Sequence, residues 1–458
     1  MEVIHINKTV KFITLGCKTN FYESSAMASL LCNAGYEITE NEIADIYIIN
    51  TCTVTNTGAS RSRSAIRKCK QNNPSSIVAV TGCLVQTNAE EIAKIDGVDV
   101  VAGVKRGDIV ELIEQLTENF VGANRVRPTT DAIISAGEHG SPLQAILSIP
   151  NKYEEISAVD TQSRVRAVIK IQDGCDNFCS YCIIPYARGR ARSRKLENII
   201  TEARALAKNY TEVVITGINL SSYGNDLTDS DLSKKFGLID VIERLNEING
   251  IRRIRLGSLS PTVVTNEFVT RAKRLDKLCP QFHLSLQSGC DEILQKMNRK
   301  YDTAQYLSAV KLLRENIPNC AITTDLIVGF PGETDEQFEK SYEFCKKIEF
   351  SQMHIFKYSK RAGTVAGDMK NQVSKVDKQQ RSEKMLELAA HMKTEFYQNY
   401  IGEIVDVLFE TKKKSGFFGL TANYMDVLVK SNNDLEGKIK LVKIIKVDGE
   451  NLVGEIIE

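Results

Sequence analysis

Over the first 120 residues, short apolar runs alternate with helix-like stretches: VKFITLG, ESSAMASLLCNAG, ADIYIIN, ASRSRSAIRKCK, SIVAVTG and a helical pattern from Asn88 onward. Apolar runs of this length bounded by turn formers read as buried strands, and their alternation with helical segments predicts βαβα units around a parallel sheet. From about Gly122 to Ser163 the period lapses into polar, turn-prone residues, TTDAIISAGEHGSP among them, which reads as a linker with at most one hairpin. Six strand-like segments follow between Arg164 and about Tyr397, namely RAVIKIQ, EVVITG, RRIRLGS, FHLSL, AITTDLIVG and SQMHIFKYS, spaced by helix-sized intervals. Six strand–helix repeats predict an open or partial βα barrel. The last stretch (IGEIVDVLFE, FFGLTANYMDVLVK, GKIKLVKIIKV, NLVGEIIE) reads as short strands with Gly and Asn turns, the pattern of a small closed β-barrel. The predicted fold class is α/β: an N-terminal open parallel-sheet domain (1–121), a linker (122–163), a partial (βα)6 barrel (164–397) and a small antiparallel β-barrel (398–458).

At about 150 residues per domain, 458 residues suggest about three domains, and 42% hydrophobic content suffices for their cores. Lys+Arg 59 against Asp+Glu 58 excludes bulk charge as the means of holding a nucleic acid, so any such partner needs local basic patches. No apolar run approaches the roughly 18 residues of a membrane span, and MEVIHINKTV lacks the order of a signal peptide, so no membrane association and a cytoplasmic location are expected. Twelve cysteines are too few for a disulfide scaffold in so long a chain, which turns attention to metal binding or catalysis. Cys32, Cys69, Cys279, Cys290, Cys320 and Cys345 fit core or incidental positions.

The other six cysteines form two groups. In DGCDNFCSYC, Cys175, Cys179 and Cys182 have CxxxCxxC spacing directly after the first strand of the barrel-like region. Structural zinc wants four ligands, usually as two CxxC-type pairs, and no further Cys or His lies nearby. Three thiolates suit a 4Fe-4S cluster with one iron left open for a substrate or cofactor. Cys17, Cys52 and Cys83 each follow an apolar strand and precede a helix. In a parallel sheet the carboxyl ends of the strands open onto one edge, so these three can converge on a second cluster; independent placement of three loop cysteines is the plain alternative. Gly16 and Gly82 precede two of them and permit the close backbone approach a cluster demands, although an ordinary βα turn would also use them.

The CxxxCxxC loop, with Tyr181 as the aromatic residue before its last Cys, resembles that of the radical S-adenosylmethionine enzymes. The resemblance implies that S-adenosylmethionine chelates the open iron and is split to a 5′-deoxyadenosyl radical. GCKTN, NTCTVTN, TGC, KIQDGCDNFCSYCIIPYARGRARSR, DLIVGFPGET and the terminal β-barrel together resemble the methylthiotransferases, over nearly the whole chain. That family implies an N-terminal cluster domain, a radical S-adenosylmethionine barrel and a C-terminal TRAM domain that binds RNA. IIPYARGRARSR with NTCTVTN is most similar to the branch acting on threonylcarbamoyladenosine beside the tRNA anticodon. Its sisters act on isopentenyladenosine in tRNA or on a ribosomal-protein aspartate. The reaction implied replaces the C–H at carbon 2 of adenine by S–CH3, with one S-adenosylmethionine as methyl donor, another as radical source, and sulfur delivered through the N-terminal cluster. A flavodoxin- or ferredoxin-like electron donor and a monomeric chain are expected. A non-catalytic, metal-containing RNA-binding protein is the rival reading from another class.

By position in the barrel, Tyr181, Thr216, Gly217, Asn219, Ser258, Ser260, Gln287 and Asp325 are the candidate contacts to S-adenosylmethionine or substrate, although each could equally cap a helix or satisfy a loop, and TGIN departs from the family's GGE turn. Arg188, Arg190, Arg192 and Arg194 in YARGRARSRK carry no acid among them and suit a surface tracking the tRNA anticodon stem-loop, as a solvated basic loop also would. A second basic run, Arg61, Arg63, Arg67, Lys68 and Lys70, lies on a predicted helix. From Asn399 onward eight Lys face ten acids, so only Lys412, Lys413 and Lys414 beside Phe417 and Phe418 resemble an RNA-stacking surface there.

Overall fold

The computed structural model describes residues 8–52, 56–119, 144–159, 161–162, 164–227 and 236–457. The chain packs as two compact units, one made of Met1–Gln162, Gln172–Asp176 and Ile183–Asn198, the other of Ser163–Ile171, Asn177–Cys182 and Ile199–Glu458.

The first unit runs β1 (Thr9–Thr14), α1 (Lys18–Asn33), β2 (Glu37–Ile38), β3 (Ile46–Thr51), α2 (Asn56–Asn72), β4 (Ile77–Gly82), α3 (Cys83–Ala93), β5 (Val100–Ala102), α4 (Ile109–Asn119) and β6 (Gln144–Ile146). Its sheet is parallel throughout, in the order β2-β1-β3-β4-β5-β6. Every residue of β3 and β4 is buried, as expected of central strands covered on both faces. Successive side chains serve opposite cores: Ile46 and Ile48 pack with Val10, Met27, Leu31 and Ile113, whereas Tyr47 and Ile49 pack with Ile66, Val78, Val80 and Leu84. Residues 122–143 of the expected linker lie outside the described residues; its described part supplies β6, which pairs parallel with β5 at the edge of the sheet. The last two residues of β7 (Ala167–Asp173) pair antiparallel with β8 (Arg192–Ser193), and the intervening α5 (Ile184–Arg188) packs against α3.

In the second unit, α6 (Leu196–Leu206), β9 (Glu212–Gly217), α7 (Leu238–Asn246), β10 (Arg253–Leu256), α8 (Asn266–Ala272), β11 (Gln281–His283), α9 (Asp291–Lys296), α10 (Thr303–Asn316), β12 (Ala321–Val328), α11 (Asp335–Ile348) and β13 (Gln352–Lys357) alternate along the chain. Strands β10-β9-β7 form one sheet and β11-β12-β13 another, joined by the parallel bridges Ile254↔Leu278 and Leu259↔Leu284. This is the open six-stranded βα barrel. After α12 (Val365–Asp368) and α13 (Lys375–Gln398) come β14 (Ile404–Lys413), β15 (Gly416–Thr421), β16 (Asp426–Val429), β17 (Ile439–Asp448) and β18 (Asn451–Ile456), a closed barrel in the order β14-β15-β16-β18-β17. The expectation of an all-antiparallel barrel is corrected: β16 and β18 pair parallel. An odd number of strands cannot close into a ring with every neighbour reversed, so one parallel pair is unavoidable.

A buried ionic network joins the two sheet systems of this unit. Glu212, at the start of β9, accepts from Arg255 Nε (2.7 Å) and Arg253 Nη1 (3.3 Å). Arg253 reaches on to Asp406 Oδ2 (2.7 Å) and the Leu420 carbonyl (3.1 Å), and Arg255 to the carbonyls of Thr421 and Ala422. No described helix is long and apolar enough to cross a membrane. Cys69, Cys279, Cys290, Cys320 and Cys345 are buried as expected of core cysteines, whereas Cys32 is exposed at the end of α1.

Candidate active site: two cysteine centres

The strand order 2-1-3 in the first unit puts a topological switch point between β1 and β3, where the crossovers leave in opposite directions and open a crevice beyond the strand ends. Register aligns those ends, with Thr14 opposite Asn50, Asn50 opposite Thr81 and Thr51 opposite Gly82. Cys17, Cys52 and Cys83 follow within three residues on the same edge. Cys17 caps α1 and Cys83 is the first residue of α3, which begins five residues earlier than its sequence pattern indicates. Gly16 and Gly82 have φ of +119° and +106°; a Cβ on Gly16 would meet Cys52 Sγ at 3.1 Å, and one on Gly82 the Thr51 carbonyl at 2.4 Å. Both turns therefore require glycine. Cys17 is exposed, while Cys52 and Cys83 are 8% and 3% exposed. Burial holds the Cys83 thiol above its ordinary value, an effect the Arg188 guanidinium only partly offsets. Three thiols, closely approaching backbone and a nearby buried cation fit an iron–sulfur cluster ligated through three cysteines.

The arginine segment behaves differently from its expected role as a phosphate-tracking surface. Arg188, Arg192 and Arg194 are buried in the first unit. Arg188 pairs with Glu23 and Asp173, Arg192 lies 3.6 Å from Asp173, and Arg194 donates to Glu155 (2.8 Å) and the Tyr22 hydroxyl (3.3 Å). Only Arg190 of the four is exposed, beside Asp176. Three of the four arginines are withdrawn from solvent because carboxylates from other elements, Glu23, Asp173 and Glu155, take them up. A run of exposed cations lies instead on α2, which contains no Asp or Glu: Arg61, Arg63, Arg67 and Lys68 are exposed opposite buried Ser62, Ile66 and Cys69, while Lys70 is half-buried on Asp99.

The CxxxCxxC loop has Cys175 in the first unit and Cys179 and Cys182 in the second. Phe178 takes a left-handed conformation (φ 46°), a costly state for a bulky residue, and Asn298 Nδ2 holds its carbonyl at 3.0 Å. Ser180 is fixed by the Met297 and Lys296 carbonyls, and Tyr181 packs beside Met297, Phe330 and Tyr358. Arg299 donates from Nη1 to Cys179 Sγ (3.2 Å) and from Nε to the Tyr301 hydroxyl (3.0 Å). A cavity of about 170 Å³ opens at Cys179, lined in part by Asn219, Ser260, Arg299 and Lys300. Of the candidate cofactor contacts, Asn219 and Ser260 thus lie beside Cys179. Thr216, Gly217, Ser258, Gln287 and Asp325 do not line this cavity; Gln287 (φ 68°) donates its N–H to the Asp325 carbonyl, and Asp325 lies 3.3 Å from His283 Nε2. Arg299 and Lys300 escaped the sequence reading because they follow α9, not a strand end. In the C-terminal barrel, Lys412, Lys413 and Lys414 are exposed, Lys413 lies 4.0 Å over the Phe418 ring, and Phe417 is core.

A CxxxCxxC loop at the head of an open βα barrel defines a radical S-adenosylmethionine enzyme, and residues 169–345 match the Radical SAM superfamily model. Residues 9–103 match the family described as "Uncharacterized protein family UPF0004". The chain is 39% identical over 446 residues (96% of this chain, 94% of the relative) to the "Threonylcarbamoyladenosine tRNA methylthiotransferase MtaB" of Bacillus subtilis. It is also 37% identical over 456 residues (97% and 92%) to the "tRNA-2-methylthio-N(6)-dimethylallyladenosine synthase" of Thermoanaerobacter sp.. Among solved structures, the radical S-adenosylmethionine methyltransferase TsrM of Kitasatospora setae shares the fold, with TM-score 0.56 and 16% identity, covering 79% of this chain and 74% of that one. The chain belongs to the radical S-adenosylmethionine methylthiotransferase family and is a tRNA-modifying enzyme of that kind.

Proposed function

We propose that the enzyme converts N6-threonylcarbamoyladenosine beside the tRNA anticodon to its 2-methylthio derivative, with one 4Fe-4S cluster on Cys175, Cys179 and Cys182 and a second on Cys17, Cys52 and Cys83. The observation that carries this reading is the second three-cysteine centre at the switch point of the N-terminal sheet, which a radical enzyme that only abstracts hydrogen would not need. The cluster and S-adenosylmethionine together supply the one-electron chemistry that an unactivated aromatic C–H requires. In the cavity at Cys179, Arg299 and Lys300 offer cations to the cofactor's carboxylate, and Asn219 and Ser260 offer hydrogen bonds. Tyr181, Thr216, Gly217, Ser258, Gln287 and Asp325 remain candidates for the rest of the cofactor and the substrate base. Two MtaB relatives, from Bacillus subtilis and Aquifex aeolicus, support the threonylcarbamoyl substrate by name.

Protein reconstituted without oxygen is expected to hold about eight irons and little zinc. Given reductant, S-adenosylmethionine and tRNA carrying either precursor, it is expected to yield a methylthio nucleoside from threonylcarbamoyladenosine, identified by mass after digestion. Product only from the dimethylallyl or isopentenyl precursor would move the enzyme to the sister branch.

The basic face of α2 is the RNA-binding surface that survives the burial of the arginine segment, with Lys412, Lys413 and Lys414 as a second patch. Arg63→Glu combined with Arg67→Glu, one helical turn apart, is expected to weaken tRNA binding and to lower the slope of log affinity against log salt by about 1 per lost phosphate contact. Iron content should stay unchanged. Binding and slope equal to wild type would remove this helix from the interface.

A further inference from the structure

Arg188 is a buried charge that touches a cysteine of the N-terminal centre. It is fully buried, and all five of its N–H groups have acceptors. Nε donates to Cys83 Sγ at 3.1 Å. Nη1 donates to Glu23 Oε1 (2.6 Å) and Asp173 Oδ1 (3.0 Å), and Nη2 to Glu23 Oε2 (3.0 Å) and Asn20 Oδ1 (3.2 Å). A guanidinium has five N–H donors in a fixed plane, so this site uses its whole capacity. The acceptors come from three places: α1 behind Cys17, the start of α3, and the end of β7. Asp173 stands two residues before Cys175, whose N–H donates to the Gly189 carbonyl at 3.1 Å. Arg188 and its neighbour therefore tie the backbone of Cys175 and the side chain of Cys83 to one short segment. Glu23 also pairs with Arg106 (2.9 Å), and Asp173 faces Arg192. Three guanidinium groups thus face two carboxylates, and the donor pointing away from the carboxylates lies on sulfur.

We propose that Arg188 is a positioning residue for the N-terminal centre: it fixes the Cys83 sulfur and raises the reduction potential of the iron–sulfur cluster held there. This rests on the two-cluster reading above. An N–H donated to a ligand sulfur withdraws electron density from the metal, and a buried positive charge stabilises the more negative, reduced state; both effects act in the same direction. Lysine keeps the charge but not the planar fork, so it can satisfy only part of this geometry.

The test is a reductive titration of the complete, anaerobically loaded enzyme followed by electron paramagnetic resonance. The N-terminal signal is assigned as the one lost in a C17A/C52A/C83A variant. In Arg188→Gln that signal is expected to move to a more negative potential, with a smaller shift in Arg188→Lys, while the signal of the other cluster stays in place. In unmutated enzyme containing 15N-arginine, pulsed measurements are expected to detect a guanidinium nitrogen coupled to the N-terminal signal, a readout that does not depend on any variant folding. Unchanged potentials in loaded variants, or no such coupling in the native enzyme, would overturn the role. Only four irons in wild type would instead bring down the two-cluster reading, and this role with it.

Discussion

Cys83→Ala is expected to keep splitting S-adenosylmethionine to 5′-deoxyadenosine while its methylthio product falls by at least about a hundredfold, since the side chain lost is a ligand of the proposed N-terminal cluster and second-shell losses alone reach that size. Iron should fall from about eight to about four. Cys83 begins α3 of the first unit and is not among the residues that line the cavity at Cys179. Cys179→Ala is the matched comparison, because it should abolish both products. Incubation with tRNA, reductant and S-adenosylmethionine, followed by chromatography of both nucleosides, decides the matter. Methylthiolated tRNA accumulating at the normal rate in Cys83→Ala would contradict sulfur delivery through this centre.

Replacing Glu212 by alanine is expected to destabilise the second unit by about 3–5 kcal/mol, the range for stripping one partner from a buried ion pair. Glu212 and Arg255 are both wholly inaccessible, and Arg253 nearly so, so the guanidinium groups would remain without their carboxylate. Denaturant unfolding monitored in the C-terminal barrel should show the loss as a lower midpoint. Burial raises the Glu212 carboxyl, but the charges and hydrogen bonds of Arg255, with Arg166 and Arg253, hold it below its ordinary value of 4.5. A depressed folded value means that the stabilisation is complete above about pH 4.5 and is lost as pH falls through the folded value. Glu212→Gln should lack that acid-limb dependence. A midpoint unmoved by the alanine change would mean that the network carries no net stability.

The architecture was legible where chemistry repeats locally. The strand–cysteine–helix sequence at Cys17, Cys52 and Cys83 located three strand ends on one sheet edge, and CxxxCxxC marked the head of the barrel. What sequence could not show was the destination of charge. Arg188 finds Glu23 at 165 residues' separation, and Arg299 finds Cys179 at 120 residues' separation, so neither pairing leaves a short-range pattern. The parallel pair in the C-terminal barrel was open to deduction from the strand count alone, had five strands been assumed; four quoted segments concealed the fifth, because FFGLTANYMDVLVK contains both β15 and β16.

That residues 172–176 and 183–198 complete the first unit has a consequence for biosynthesis. A nascent chain that has emerged only as far as α4 carries Glu23 and Arg106 without Arg188, and Cys83 without its donor. Synthesis must therefore pass residue 188 before the first unit can close around Glu23 and before Cys83 gains its hydrogen-bond donor, so this unit is completed only by residues that follow its own sheet by more than forty positions.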